Sequence, residues 1–98
     1  MAQTNDWVKA QLARGVKIEP ETAYIWADAL RVSVAEIEKA IFDNMPDGLR
    51  FVFDDGDDVK LFFREHGIIS DVFPNGRRVR TTMDSDECFV VTVIGSSK

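Results

Sequence analysis

Four carboxylates crowd into five positions, Asp54, Asp55, Asp57 and Asp58, with Gly56 between the pairs. Such a run has three uses. It can hold a hard cation, but the spacing departs from the Asp-x-Asp-x-Asp-Gly-x(5)-Glu calcium loop, so no metal is assigned. It can imitate phosphate charge and enter the basic groove of a nucleic-acid-handling protein. It can also be a polar turn that keeps a sheet edge in water. Arg77, Arg78 and Arg80 supply the opposite charge just after Asn75 and Gly76. On a hairpin wing they would touch phosphate or an acidic partner. On a plain strand, Arg78 and Arg80 share a solvated face with Thr82. His66 is the one histidine and Cys88 the one cysteine. A general base needs an orienting partner and a pocket, and the sequence offers His66 neither. No phosphate loop, nucleophile elbow or zinc spacing occurs. The chain is therefore expected to be no enzyme, with no catalytic residue and no cofactor. Tyr24, Trp26 and Phe42 remain. With Ala23, Ala27 and Leu30 turned to a helical core, Tyr24 and Trp26 fall at least partly off that face. Either the sheet covers these aromatics, or they form the kind of patch that anchors protein interfaces.

Composition bounds what these residues serve. Ninety-eight residues suit one domain, and 45% hydrophobic with 10% aromatic content is that of a globular chain. A chain this short buries roughly 60–65% of its unfolded surface, so one modest core must involve every element. Twelve basic against 17 acidic residues give a net charge of −5. That balance disfavours generic attraction to nucleic acid or an anionic membrane and suits a basic partner. A lone cysteine excludes an internal disulfide and fits a reducing cytoplasm. No signal-peptide pattern opens the chain, and its most apolar run, residues 89–94, is too short to span a bilayer. A cytoplasmic protein with no membrane contact is expected.

The elements that must position these residues change character near Pro46, Asp47 and Gly48. Residues 1–46 are read as a helical half and 47–95 as a β half, with 96–98 a tail that frays. The first helix is expected over roughly 6–14, capped by Asn5 or Thr4, with Trp7, Val8 and Leu12 inward and Gly15 past its end. The second starts at Pro20, a residue suited to the first helical position. The third starts at Ser33, whose spacing to Glu36 makes a capping box, and ends before Pro46. Strands are expected at 49–53, 68–73, 79–82 and 88–94. The Asn75-Gly76 pair is a hairpin signal, and the last strand is apolar on both faces, as a central strand covered on both sides would be. Residues 58–66 fit two periods. Val59, Leu61 and Phe63 alternate as in a strand, with a turn at Asp55-Gly56. Val59, Phe62, Phe63 and His66 equally share a helical face, with Asp57 as cap and Gly67 as stop. The hairpin is preferred. The fold expected is α+β, with three N-terminal helices, a helix-turn-helix among them, on an antiparallel sheet of four to five strands.

Ala27, Leu30, Val32, Ile37, Lys39, Ala40 and Ile41 follow the pattern Ala-x-x-Leu-x-Val-x(4)-Ile-x-Lys-Ala-Ile. Over residues 22–42 the chain resembles the helix-turn-helix of phage repressors of the Cro type. The resemblance implies that residues 33–42 lie in the major groove of DNA and offer Ser33, Val34, Ala35, Glu38, Lys39 and Phe42. It also implies a dimer, and Arg77, Arg78 and Arg80 would then touch phosphate. Base and phosphate contacts call for Arg, Lys, Asn or Gln. This face holds one lysine beside Glu38, and Arg31 takes the place of the usual turn glycine. Residues 1–48 carry five basic and eight acidic groups. The leading expectation is therefore a small acidic, non-catalytic binding protein working through protein–protein contacts. It would use Asp54, Asp55, Asp57 and Asp58 together with Tyr24, Trp26, Glu38 and Phe42. An inhibitor or regulator of a nucleic-acid-handling system, engaged through a basic groove, is one form of it. A DNA-binding repressor is the alternative.

Overall fold

Short N-terminal helices give way to a sheet because the apolar spacing shifts from helical to alternating beyond Pro46. The computed structural model describes residues 2–96, and among them four helices and a four-stranded sheet form. In chain order these are α1 (Ala2–Ala13), β1 (Lys17–Ile18), α2 (Thr22–Leu30), α3 (Val34–Asp43), β2 (Arg50–Phe53), α4 (Gly56–Glu65), β3 (Arg77–Met83) and β4 (Phe89–Ser96). The architecture is α+β, as the residue pattern implies.

The sheet runs β1-β2-β4-β3 and is mixed rather than antiparallel. β1 pairs parallel to β2 through Lys17 with Arg50 and Ile18 with Phe51, whereas β2–β4 and β3–β4 are antiparallel. A two-residue parallel strand leaves no alternation to detect, which is why residues 17–18 read as a connection. β4 is central, as expected. Its Val91 and Val93 are fully buried, in one cluster with Phe51 and Val79. The opposite face is only partly covered, with Val90 buried, Thr92 half-buried and Ile94 exposed. Coverage on both sides is thus not met. The rings of α3 and α4 meet Phe51 and Phe53, so these helices lie on that one side of the sheet.

Residues 68–73 form no strand. Ser70 and Asp71 both take positive φ (54° and 61°), and Ile69 and Val72 exchange backbone hydrogen bonds of 3.0 and 3.1 Å. This is a two-residue mirror-image turn built without the Asn-Gly pair that announces one. The Asn75-Gly76 turn does form, with Gly76 at φ 90° and Asn75 Oδ1 accepting from the Arg77 N–H at 3.0 Å. It delivers the chain into β3 from the short loop before it. Ser96 closes β4, and Ser97 and Lys98, the rest of the expected tail, lie outside the described residues.

The helices carry their own corrections. α1 already runs at Ala2, so neither Thr4 nor Asn5 caps it. Thr4 is buried, and Asn5 Oδ1 instead accepts from Asn44 Nδ2 at 2.7 Å, tying α1 to the end of α3. α2 begins two residues past Pro20, with Thr22 Oγ1 accepting from the Glu19 N–H at 2.9 Å. Arg31, Val32 and Ser33 join α2 to α3. Arg31 takes the left-handed conformation (φ 57°, ψ 45°), and the Val32 N–H reaches back to the Ala27 carbonyl at 3.0 Å. The bonding closes the helix as a glycine-ended motif would, at the cost of a β-carbon in a strained region. Ser33 Oγ accepts from the Glu36 N–H at 3.1 Å, but the return half of the capping box is not made and Glu36 Oε2 is buried without a partner. Ala27, Ile37, Ala40 and Ile41 are buried, with Leu30 and Val32 packed beside them. Among the described residues no helix is long and apolar enough to cross a membrane.

Candidate functional site

α4 decides the site, and local chemistry at its two ends makes it a helix rather than the preferred hairpin. Asp55, not Asp57, is its cap: Oδ1 accepts from the Asp58 N–H at 3.0 Å. Asp57 and Asp58 follow in the first turn and Arg64 sits in the last, each at the end of the helix dipole that favours its charge. At the other end the Ile68 N–H reaches the Phe63 carbonyl at 2.9 Å and the Gly67 N–H the Arg64 carbonyl at 3.3 Å. That double closure needs a left-handed residue, and Gly67 (φ 65°) supplies it. A β-carbon there would also meet Pro74 Cγ at 3.2 Å. Val59 and Phe62 are then buried, while Leu61, an inward residue of the strand reading, is half exposed.

Between α4 and the α2–α3 pair lies an open groove of about 400 Å³. Phe42, Phe51, Phe53 and Phe62 form its floor. Their ring centroids are spaced at 4.9 Å for Phe51–Phe62, 5.1 Å for Phe53–Phe62 and 5.7 Å for the stacked Phe42–Phe51 pair. Glu19 from the β1–α2 connection, Glu38 from α3 and Asp58 and Glu65 from α4 line it, and no lysine or arginine does. Tyr24 is 64% and Leu61 50% exposed, one on each wall. Within α4 the lining residues Asp58, Leu61, Phe62 and Glu65 stand at i, i+3, i+4 and i+7, one continuous helical stripe. Among the described residues the ion pairs are Lys39–Asp43 and Arg77–Asp47, so none of the four groove carboxylates is neutralised in that way.

His66 borders the groove with its ring 4.2 Å from Phe42 and 4.8 Å from Phe62. Burial lowers its pKa from the ordinary value, against the opposing pull of Glu38 and Glu65. Cys88 is elsewhere, beside Asp54 and Asp86. Desolvation, then Asp84, Asp54 and Asp86, push its thiol up, which keeps it protonated and a poor nucleophile at neutral pH. Among the described residues no group of three or more His, Cys, Asp or Glu is gathered as a metal ion would require.

The expected site residues scatter over several places. Of the acidic run, Asp58 reaches the groove, Asp55 is a helix cap, and Asp54 faces the Cys88 sulfur at 3.9 Å. Tyr24, Glu38 and Phe42 line the groove together. Trp26 does not. It packs edge to face on Trp7, with centroids 5.4 Å apart at 87°, so α1 rather than the sheet meets it. On α3, Ser33 is spent as a cap and Val34 packs against the core. Lys39 is held by Asp43 at 2.7 Å, a contact that raises its pKa, and Ala35 is exposed. Arg77 donates from Nη1 to the Met45 carbonyl and from Nη2 to Asp47 Oδ1, both at 2.6 Å, and so ties the 45–47 segment to β3. Arg78 and Arg80 are exposed. Glu19, Leu61, Phe62 and Glu65 were not anticipated as site residues. The signal for three of them is the α4 stripe, visible once residues 58–65 are read at helical period. Comparison with protein-family models, curated proteins and solved structures gives no match to this chain.

Proposed function

We propose that this chain is a non-catalytic binding protein that acts through protein–protein contacts and receives its partner in the groove between α4 and α2–α3. The observation that carries this reading is the pairing of an aromatic floor with four carboxylates, none of them in an ion pair among the described residues. Fully buried aromatic anchors with a charged rim are the usual source of binding energy and of partner choice, respectively. The net charge of −5 favours a basic partner surface at long range. An inhibitor or regulator of a nucleic-acid-handling protein is one form of this function, with Asp57, Asp58 and the groove carboxylates standing where phosphates would. The test is affinity capture from native lysate, with and without nuclease, by the wild-type chain and by a Tyr24→Ala/Leu61→Asp variant. A nuclease-resistant partner that the variant fails to hold supports the reading. Equal capture by both chains refutes it.

A DNA-binding function is the second reading, and one observation favours it. Lys17, Arg50, Thr92 and Arg80 align in register across all four strands. Lys17, Arg50 and Arg80 are exposed, and none is in an ion pair among the described residues. On this reading the contact runs through this face of the sheet, with Arg78 beside it, while Ser33, Ala35 and Lys39 belong to a separate surface, because α3 packs on the other side of the sheet. It requires duplex binding that weakens steeply as salt rises. No binding to a mixed duplex pool at low salt would remove it.

A further inference from the structure

The stripe on α4 specifies more than a protein partner. Asp58 and Glu65 are seven residues apart, about 10 Å along a helix axis, and Leu61 and Phe62 lie between them on the same side. The facing wall repeats the chemistry, with Glu38, Ile41 and Phe42 at i, i+3 and i+4 of α3. An occupant lying along the groove thus meets negative charge at both ends, apolar surface in the middle and more negative charge across from it. We infer that the groove's occupant is a basic amphipathic helix of the partner, with Lys or Arg at i and i+7 and large apolar side chains at i+3 and i+4. This rests on the groove being the contact surface. A helix has the matching spacing because both sides then repeat at the same rise per residue. In an extended segment, side chains about 10 Å apart are three residues apart and point to opposite faces. The apolar pair enters between Tyr24 and Leu61, onto the Phe42 and Phe62 rings. The flanking cations meet Asp58 and Glu38 or Glu65, with the aromatic faces adding cation–π attraction.

The probe is a synthetic helical peptide of about 15 residues, near the length at which an isolated helix becomes marginally stable in water. It carries Arg at i and i+7 and Leu at i+3 and i+4. Three controls share its length: one with Gln for Arg, one with Glu for Arg, and one with the original composition scrambled. Binding to the full chain is measured by calorimetry and located by backbone amide shifts. The Arg peptide is expected to shift the amides of Leu61 and Tyr24 and to bind about tenfold more tightly than the Gln peptide, the size expected of a few rim ion pairs acting together. The advantage should shrink with added salt, and the Glu peptide should not bind. An Asp58→Asn/Glu65→Gln chain should lose most of the Arg peptide's advantage over the Gln peptide, and an unchanged Arg-to-Gln affinity ratio would overturn the charge pairing. If Gln and Glu peptides shift the same amides with equal affinity, the basic occupant is wrong while the groove stands. Equal binding of the scrambled peptide overturns the spacing. If no peptide moves a groove amide, both readings fall.

Discussion

Replacing Asp55, Asp57 and Asp58 one at a time separates a structural carboxylate from a recognition carboxylate. Asp55 alone caps α4, through the 3.0 Å bond its Oδ1 accepts from the Asp58 N–H. Losing an N-cap to alanine costs typically about 1 kcal/mol, and the lost charge beside the helix dipole adds a few tenths at an exposed site. Asp55→Ala should therefore destabilise by about 1–1.5 kcal/mol. For a domain of this size that lowers Tm by roughly 5–10 °C. Asp55→Asn and Asp55→Ser retain an acceptor in the same place and should stay within a few tenths of wild type. Asp57→Asn loses only a dipole contact and should stay within about 0.5 kcal/mol. Asp58→Asn should behave likewise in stability, and its effect should appear in groove binding. Chemical denaturation of the five variants, with thermal melts alongside, reads all of this. The reasoning fails if Asp55→Asn falls as far as Asp55→Ala, because the loss would then be one of charge and not of the cap. It fails equally if Asp57→Asn costs as much as Asp55→Ala.

Arg31 sits left-handed at φ 57°, so Arg31→Gly should leave stability unchanged or raise it by up to about 1 kcal/mol, whereas Arg31→Val should lower it by more than about 1 kcal/mol. Denaturant midpoints check the order. Asn44 Nδ2 donates to Asn5 Oδ1 at 2.7 Å and to the Ala40 carbonyl at 2.8 Å, so Asn44→Ala should cost about 1–2 kcal/mol by stranding partly buried acceptors. Asn44→Asp should cost more, since a carboxylate would face an acceptor at the negative end of α3. Burial lowers the folded pKa of His66, so the unfolded chain takes up its proton more readily. Stability should then fall as pH drops below about 6.5 toward the lower folded value, and His66→Gln should flatten that part of the profile. A His66→Gln chain with the wild-type slope between about pH 7 and pH 5 would show that the loss comes from other groups.

Local signals were legible where one residue settles one geometry. Ser33 caps α3, Gly15 (φ 80°) follows α1 and Gly67 (φ 65°) follows α4, because each of these positions restricts the residues that fit it. The α+β class followed from the shift in apolar period, and the central place of β4 from its run of apolar residues. The misses share a different cause. Residues 17–18 become a strand only because β2 lies alongside, and a parallel pair of two residues has no period of its own. Residues 69–72 turn through Ser70 and Asp71, two residues that enter positive φ at a cost and so announce nothing. α4 was ambiguous because Val59 and Phe63 fit both periods.

That ambiguity also hid the groove. On a strand, Glu65 falls on the face of Val59, Leu61 and Phe63, while Asp58 and Phe62 fall on the other, so the four groove residues are split between two faces. On a helix, Asp58, Leu61, Phe62 and Glu65 become one stripe, and a run that looked like a uniform acidic loop divides by role. Asp55 is held by the backbone it caps, whereas Asp58 is left to face the groove opposite Glu38. The same division applies to the basic residues, where Arg77 is committed to Met45 and Asp47 while Arg78 and Arg80 stay exposed. Charge counted along the chain therefore misjudges both surfaces, since it weighs carboxylates and guanidinium groups already bound to their own fold equally with those still able to bind something else.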